Sequence, residues 1–495
     1  MDGYLKMRYS LFHVEREQQK SLQTQIREML VSAMLAGQLP ADAPVPSTRA
    51  MAKRLKVSRN TVMLAYQALA SDGYLVSRER SGFYVSADVR NDLFQSEQAS
   101  EDTQVALSSV DWGEKLRLKP SEQLNIIKPN DWNNYPYPFI YGQVDPKLFP
   151  ISAWRDCIRQ TLSLKWLDAW TDDRFSADDP MLIEQIQQRV LTRRGVMAKR
   201  EEILVTMGAQ NALFMLAHLL VRQNTKVAVE DPGYPDIRNM FRLRTDNVVN
   251  IPIDQEGLRV DQLKDAKMAF VTPSHQYPTN VTMSVQRRHQ LLEWANENDS
   301  LIVEDDYEYE TNFRQEPTPA LKSLDRNGRV LYIGSLSKSL MPGLRVGFLV
   351  APAELIEEVR ALRRLILRHP PGNNQRVVAL FLSLGIHNAL INKLSQNYQK
   401  RSEILGLALA NNFHGWYEVP KFGGSSYWIK GPSELDSRKL VKVAKEKGVL
   451  IEPGDVFFSN PDKNKNYFRL GFSSISDDKI EPGINLLAQC VEEVL

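Results

Sequence analysis

Residues 335–347 read Ser-Leu-Ser-Lys-Ser-Leu-Met-Pro-Gly-Leu-Arg-Val-Gly, directly after the β-type run Arg329-Val-Leu-Tyr-Ile. Lys338 is framed by Ser335, Ser337 and Ser339, Pro342-Gly343 forces a turn, and Arg345 follows seven residues after the lysine. A phosphate needs hydroxyls, free backbone N–H groups and a guanidinium converging on one point, and this stretch supplies the hydroxyls and the guanidinium. A primary amine in the same place condenses with an aldehyde to a Schiff base. The competing reading is a polar strand-to-loop turn with a surface lysine. It loses weight as partner residues accumulate on both sides of the motif.

Around this stretch the chain alternates apolar runs with amphipathic segments. From Tyr135 onward, Ile203–Thr206, Lys226–Val229, Met268–Thr272, Leu301–Glu304 and Arg329–Ile333 read as strands. That alternation predicts a large α/β domain with a mostly parallel sheet, followed from about Leu384 by a smaller α+β subdomain. At 495 residues the chain holds two or three domains, at about 150 residues each. A hydrophobic content of 43% with 25% charged residues is that of a globular protein, and no apolar run approaches the ~20 residues of a membrane span. The first ten residues lack the apolar stretch of a signal peptide. Cys157 and Cys490 cannot by themselves build a disulfide framework or a cysteine-based zinc site, and no metal site is expected. A cytoplasmic location follows as the expectation.

The net charge of +2 conceals a local bias: Ser47–Ser86 carries seven Lys/Arg against two acids. Such an excess on one small module is the electrostatic footprint of a nucleic-acid surface. Residues 19–36 place Leu22, Ile26, Met29, Leu30, Ala33 and Met34 on one helical face, ended by Gly37 and Pro40. Ser47 is an N-cap for a short helix to about Leu55, and Ser58 caps a second, from Arg59 to about Ala70. Residues 73–85 alternate as two strands joined at Arg78–Gly82. The stretch Val45-Pro-Ser-Thr-Arg through Ser58-Arg-Asn-Thr resembles the GntR-type winged helix-turn-helix. That resemblance implies binding to double-stranded operator DNA through Ser47, Arg49, Ser58, Arg59, Asn60 and Thr61. A recognition helix presents its N-terminal residues to base edges, so Arg59 suits guanine, while Arg49, Arg78 and Arg80 suit phosphates. Gly82 lets the wing tip approach the minor groove. Domain boundaries are expected at 1–87 for this module, 88–134 for a polar linker with a Gln/Ser/Glu/Asp cluster at 95–104, and 135–495 for the remainder.

The motif around Lys338 resembles the cofactor lysine segment of fold-type I aminotransferases, which bind pyridoxal 5'-phosphate. Five further segments follow that family's order. Thr206-Met-Gly-Ala-Gln-Asn opens a helix whose N–H groups at Ala209 and Gln210 can hold an anion. Tyr234, in Glu230-Asp-Pro-Gly-Tyr-Pro, matches the aromatic that stacks on the pyridine ring. Leu301-Ile-Val-Glu-Asp-Asp-Tyr ends in acids, one of which pairs with the protonated ring nitrogen. Spacing assigns Asp305 to that role and Tyr307 to the phenolic oxygen, with Asp306 and Glu304 as competing choices. Ser335, Ser337 and Arg345 take the phosphate. In Val271-Thr-Pro-Ser-His-Gln-Tyr-Pro-Thr-Asn, Tyr277 stands where the family has Asn, and Asn280 where it has Gly, which puts the ring-oxygen contact in doubt. Arg469, in Tyr467-Phe-Arg-Leu-Gly-Phe, matches the arginine that clamps a substrate carboxylate. Tyr141-Gly-Gln-Val-Asp-Pro resembles the active-site entry segment. The tyrosine that reaches a neighbouring subunit's phosphate has no clear counterpart around Phe175–Met181.

The two halves together resemble the MocR/GabR-type regulators. This implies a homodimeric transcription regulator, head-to-tail, rather than an enzyme; it would sense an amino compound that forms an external aldimine in place of Lys338. A working aminotransferase with an appended DNA-binding module is the rival reading, and a domain that only dimerises is a third. Relatives responsive to GABA carry a second arginine just after the stacking aromatic. Here Asp236 stands in that neighbourhood and Arg238 two residues on, which favours a cationic or neutral amino compound over a γ-amino acid.

Overall fold

The computed structural model describes residues 14, 20–79, 81–89, 110–142, 144–315 and 318–495. They fall into two compact units, Met1–Leu116 and Arg117–Leu495. Arg80 and the polar cluster at 95–104 lie outside the described residues. Residues 117–134, assigned by sequence to a linker, belong to the second unit. Asn239 Nδ2 donates to Leu124 O at 2.9 Å, and Gln123 Nε2 donates to Asn239 O at 3.3 Å. The sequence gives no sign of this because the segment has no periodic apolar face.

In the first unit, α1 (Leu22–Leu35), α2 (Thr48–Leu55) and α3 (Arg59–Ser71) pack around Ile26, Leu30, Met34, Met51, Val62, Tyr66 and Leu69. Each fully buried large apolar side chain contributes roughly 1.5–3 kcal/mol before the entropy of ordering is subtracted. The caps form where serine stands ahead of each run: Ser21, Ser47 and Ser58 accept the N–H of Thr24, Ala50 and Thr61. The wing is an antiparallel pair, β1 (Leu75–Arg78) and β2 (Gly82–Val85), with Arg78 opposite Gly82. Tyr66 ties wing to helices, donating to Pro46 O at 2.9 Å with its ring edge-on to Phe83.

The second unit begins with β3 (Tyr137–Pro138) and then builds an eight-stranded sheet. Its strands are β4 (Ile203–Thr206), β5 (Val227–Asp231), β6 (Val248–Asp254), β7 (Gly257–Leu258), β8 (Met268–Val271), β9 (Leu301–Asp306), β10 (Val330–Ser335) and β11 (Gly347–Val350). The order is β4-β11-β10-β9-β8-β5-β6-β7; β11 runs antiparallel to both neighbours and β7 to β6, while the rest share one direction. Both faces are covered, so the central strands read as unbroken apolar runs. Val303, Leu331 and Ile333 pack on one side with helix Ala209–Leu220, while Ile302 and Val330 face the other with helix Val285–Glu297. A smaller sheet follows, with β12 (Ser426–Lys430), β14 (Glu452–Pro453) and β15 (Tyr467–Gly471) in the order β12-β15-β14. Between β12 and β14 lies β13 (Val449–Leu450), which pairs in parallel with β3, so the start of the unit is sewn into its carboxyl-terminal layer. Among the described residues no single helix is long and apolar enough to cross a membrane.

The parallel strands end together at Thr206, Asp231, Val271, Asp306 and Ser335, and open α/β sheets place their ligand sites at that edge. Glycine at 334 is required just before this edge. It lies opposite Phe348, and a Cβ added to it would fall 2.2 Å from the ring. Gly334→Ala is expected to destabilise the second unit by about 1–3 kcal/mol, the scale of overpacking a tight core. A lowered denaturant midpoint with unchanged slope would show this; an unchanged midpoint would contradict it.

Candidate functional site

Nine residues singled out by sequence line one cavity of about 300 Å³ at the sheet's carboxyl edge: Ala209, Gln210, Tyr234, Asp305, Tyr307, Ser335, Ser337, Lys338 and Arg345. They come from the ends of β4, β5, β9 and β10 and the turns that follow. At one end, Ser335, Ser337 and Arg345 face the first turn of helix Ala209–Leu220. Arg345 adopts a left-handed backbone (φ 52°) and donates through Nη2 to Met207 O at 3.0 Å. Its guanidinium lies against Gly208 (φ 77°), where a Cβ would come within 2.9 Å of Nη2. Hydroxyls, helix N–H groups and a guanidinium thus converge as an anion site.

Lys338 sits under Tyr141, its Nζ 4.2 Å from the ring centroid. Burial pushes its pKa down to about 8; Glu308 pulls the other way, and Lys128 and Arg469 add to the depression. The amine therefore reaches its free, nucleophilic form about two pH units earlier than an ordinary lysine. Gly142 makes room for it, because a Cβ there would lie 2.7 Å from Lys338 Nζ and 3.4 Å from Lys128 Nζ.

The three acids at the end of β9 have distinct surroundings. Glu304 accepts the backbone N–H of Leu321 and Lys322 at 2.8 and 2.7 Å. Asp306 is held by Arg194 at 2.6 Å, Ser274 Oγ at 2.6 Å and Tyr332 OH at 2.8 Å; burial opposes its ionisation, but Arg194 and these donors hold its pKa low. Asp305 faces the cavity, and its buried Oδ1 has no hydrogen-bond partner. Burial, with Asp306 adding repulsion, raises its pKa to about 8. A cation placed in the cavity would satisfy that oxygen and restore its charge.

Arg469 does not line the cavity. It lies buried behind Tyr277, donating from Nε to Glu452 Oε2 at 2.8 Å and from Nη2 to Tyr277 OH at 2.9 Å. Nη2 also lies 2.7 Å from Glu452 Oε2, so the fork expected to clamp a ligand carboxylate already holds an internal one. Burial alone would raise Glu452, but Arg469 and Lys128 hold its pKa below the usual range. Tyr277 is the centre of an aromatic cluster, its ring 5.2–5.8 Å from Tyr234, Phe457, Tyr141 and Tyr307. Asn280 keeps a positive φ of 62°, so the backbone survives the loss of glycine, and its Nδ2 donates to Ser426 O at 2.6 Å. Tyr307 OH donates to His275 O at 2.9 Å. Asp236 accepts from Tyr234 OH at 2.8 Å and from Gln210, while Arg238 turns away to Phe457 O and Phe458 O.

Sequence reasoning missed Lys128 and Glu452. Lys128 lies in a polar, aperiodic segment that offers no signal. Glu452 was detectable as a lone acid in the apolar run Val449-Leu-Ile-Glu-Pro. In the first unit, Arg49, Ser58, Arg59 and Asn60 are exposed around the start of α3, as expected of a recognition helix. The Ser47 and Ser58 hydroxyls are committed to caps, with Ser58 Oγ also 2.7 Å from Thr61 Oγ1. Arg78 is paired with Asp42 and stacked 4.2 Å over Tyr84. An exposed pair of that kind is worth only about 0–1 kcal/mol and yields readily to a phosphate. Gly82 (φ 102°) has open space around its Cα at the wing tip.

Comparisons with known proteins agree with both halves. Residues 22–85 match the bacterial regulatory proteins of the gntR family, and residues 176–487 match aminotransferase class I and II. The chain is 42% identical over 474 residues to the HTH-type transcriptional regulator TauR of Rhodobacter capsulatus, covering 96% of this chain and 97% of that one. It is 29% identical over 478 residues to the probable rhizopine catabolism regulatory protein MocR of Rhizobium meliloti, covering 96% and 94%. Among solved structures, the kynurenine aminotransferase of Pyrococcus horikoshii superposes with a TM-score of 0.67 at 28% identity, covering 81% of this chain and 99% of that one.

The depressed pKa of Lys338 has a direct readout. In cofactor-free protein, modification of Lys338 by a small aromatic aldehyde, trapped by reduction and mapped by mass spectrometry, should rise with pH through a midpoint near 8. Surface lysines should follow near their ordinary value of about 10.4. A Lys338 midpoint in the range of the surface lysines would contradict this electrostatic account.

Proposed function

The chain belongs to the MocR-type transcription regulators, a GntR-type winged helix joined to an aminotransferase class I and II domain, and on that premise we propose that it senses an amino compound through pyridoxal phosphate and alters its hold on operator DNA in response. The observation that carries this reading is the convergence of nine residues from separate strand ends on one cavity with Lys338 at its centre. The residues fit the cofactor. The unpartnered Asp305 Oδ1 suits a protonated ring nitrogen, and the cradle of Gly208, Arg345, Ser335 and Ser337 suits a phosphate. When bound, pyridoxal phosphate supplies an aldehyde that condenses with a primary amine, so an amino compound can take the place of Lys338.

The chain's own residues do the rest. Lys338, with its lowered pKa, gives up or accepts a proton at Nζ near neutral pH. Asp305 would stabilise positive charge on the cofactor ring, Tyr234 would stack on that ring, and Tyr307, whose OH donates to His275 O, would stand by the ring's phenolic oxygen. An amine that replaces Lys338 makes different contacts from those of the lysine. Only such a difference can bias the protein between DNA-binding states. In a homodimer each α3 would read half of a repeated operator, with Arg59 at the bases and Arg49 at phosphate.

Turnover as an aminotransferase is the second reading, since Lys338 and Asp305 are the groups a half-reaction requires. The Arg469–Glu452 pair weighs against it, because the substrate-carboxylate clamp is internally neutralised. Full-length protein loaded with the cofactor should show an amine-dependent change in operator affinity and no multiple turnovers with a keto-acid acceptor. Sustained turnover without a DNA response would overturn the proposal. Arg59→Ala should weaken specific operator binding by about 1–3 kcal/mol, measured by fluorescence anisotropy at fixed salt. An unchanged affinity would exclude the assigned base contact.

A further inference from the structure

Lys128 lines the same cavity as Lys338, yet it comes from the segment that sequence alone assigns to a linker. Its ammonium lies 3.3 Å from Glu452 Oε1 and donates to Tyr141 O. Glu452 is therefore shared by two cations, and its closer partner is Arg469 at 2.7 Å. Two positive charges facing one carboxylate leave one positive charge uncompensated in a poorly solvated place, an arrangement that favours an incoming anion. Arg469 does not line the cavity, and its Nε and Nη2 are engaged by Glu452 and Tyr277. Lys128 faces the open space and has the longer, weaker hold on Glu452.

Resting on the sensing function proposed above, we infer that Lys128 is the specificity-determining residue for the effector, which is a primary amine carrying a carboxylate only a few atoms away. The spacing follows from Gly142, beside which both ammonium groups converge. This reverses the preference for a cationic or neutral compound that Asp236 suggests in the sequence. Asp236 also lines the cavity, but its Oδ2 already accepts from Tyr234 OH and Gln210, whereas Lys128 faces the open space beside Lys338.

The position of Lys128 also gives the signal a way out of the cavity. Its segment is fastened through Gln123 and Leu124 to Asn239, on the helix Pro235–Arg242 that follows Tyr234, and in sequence it leads back toward the winged helix. A carboxylate that draws Lys128 from Glu452 and Tyr141 O changes the restraints on residues 117–134. A neutral amine at Lys338 leaves them alone.

The test uses full-length protein loaded with pyridoxal phosphate and titrated with three straight-chain amines of equal length, ending in a carboxylate, a methyl group or a second amine. Half-saturation is read from the cofactor's visible absorbance. The carboxylate compound should saturate at roughly tenfold or more lower concentration than the methyl compound, the scale of one charge-assisted contact. Lys128→Met should erase most of that ratio and Lys128→Arg should restore part of it. Retained cofactor absorbance in each variant serves as the folding control. Hydrogen exchange in residues 117–134 should respond to the carboxylate compound in the wild type and not in Lys128→Met. An unchanged ratio in Lys128→Met, or a preference for the diamine, would overturn the inference while leaving the sensor reading intact. No spectral response to any amine in the wild type would overturn both.

Discussion

A half-buried lysine amine set under the Tyr141 ring, with its charged form penalised, is the constraint around which the second unit is arranged. Lys338 can occupy that place only because Gly142 leaves room for its ammonium, and because β10 and β11 hold the turn that carries it. The neighbouring charges follow from the same constraint. Asp305 is left without a partner while Asp306, one residue on, is saturated by Arg194, Ser274 and Tyr332. Burial acts on both carboxyls, and their different partners send their pKa values in opposite directions. One acid is committed to the fold and the other faces the cavity unpartnered.

The departures from a catalytic aminotransferase site gather on the side of the cavity away from the anion cradle. Tyr277 stands where the family has asparagine, lines the cavity and accepts from Arg469. Glu452 occupies the arginine's fork and spans the distance to Lys128. On the reading proposed above, the cofactor half of the site is kept and the substrate half rebuilt. That division suits the proposed sensing function, in which the cofactor is held and reacts with an amine without need of turnover.

The sequence is most legible where function is local. The motif at 335–347, the strand ends at Thr206 and Asp305, and the capped helices of the winged module are each contained in a few consecutive residues, and each appears where expected. Strand β11 follows the motif so closely that Gly347-Phe-Leu-Val reads as its continuation. Strand β6 carries Asn250 and Pro252, and its half-exposed face breaks the apolar pattern on which the other strands were recognised. The Lys128–Glu452–Arg469 network was invisible because its members are distant in sequence and meet only when β14 and β15 pair beside the segment preceding β3. Charge pairing across such separations leaves no periodic trace. Arg469 is therefore paired with Glu452 rather than left open to a ligand carboxylate.

The claim on which the rest depends is that Lys338 is the amine that holds the cofactor. Full-length protein saturated with pyridoxal phosphate, reduced with borohydride and digested, should yield a single pyridoxylated peptide, with the modification on Lys338. Protein that remains colourless and unlabelled, or a label located on Lys128 or on surface lysines instead, would contradict the account.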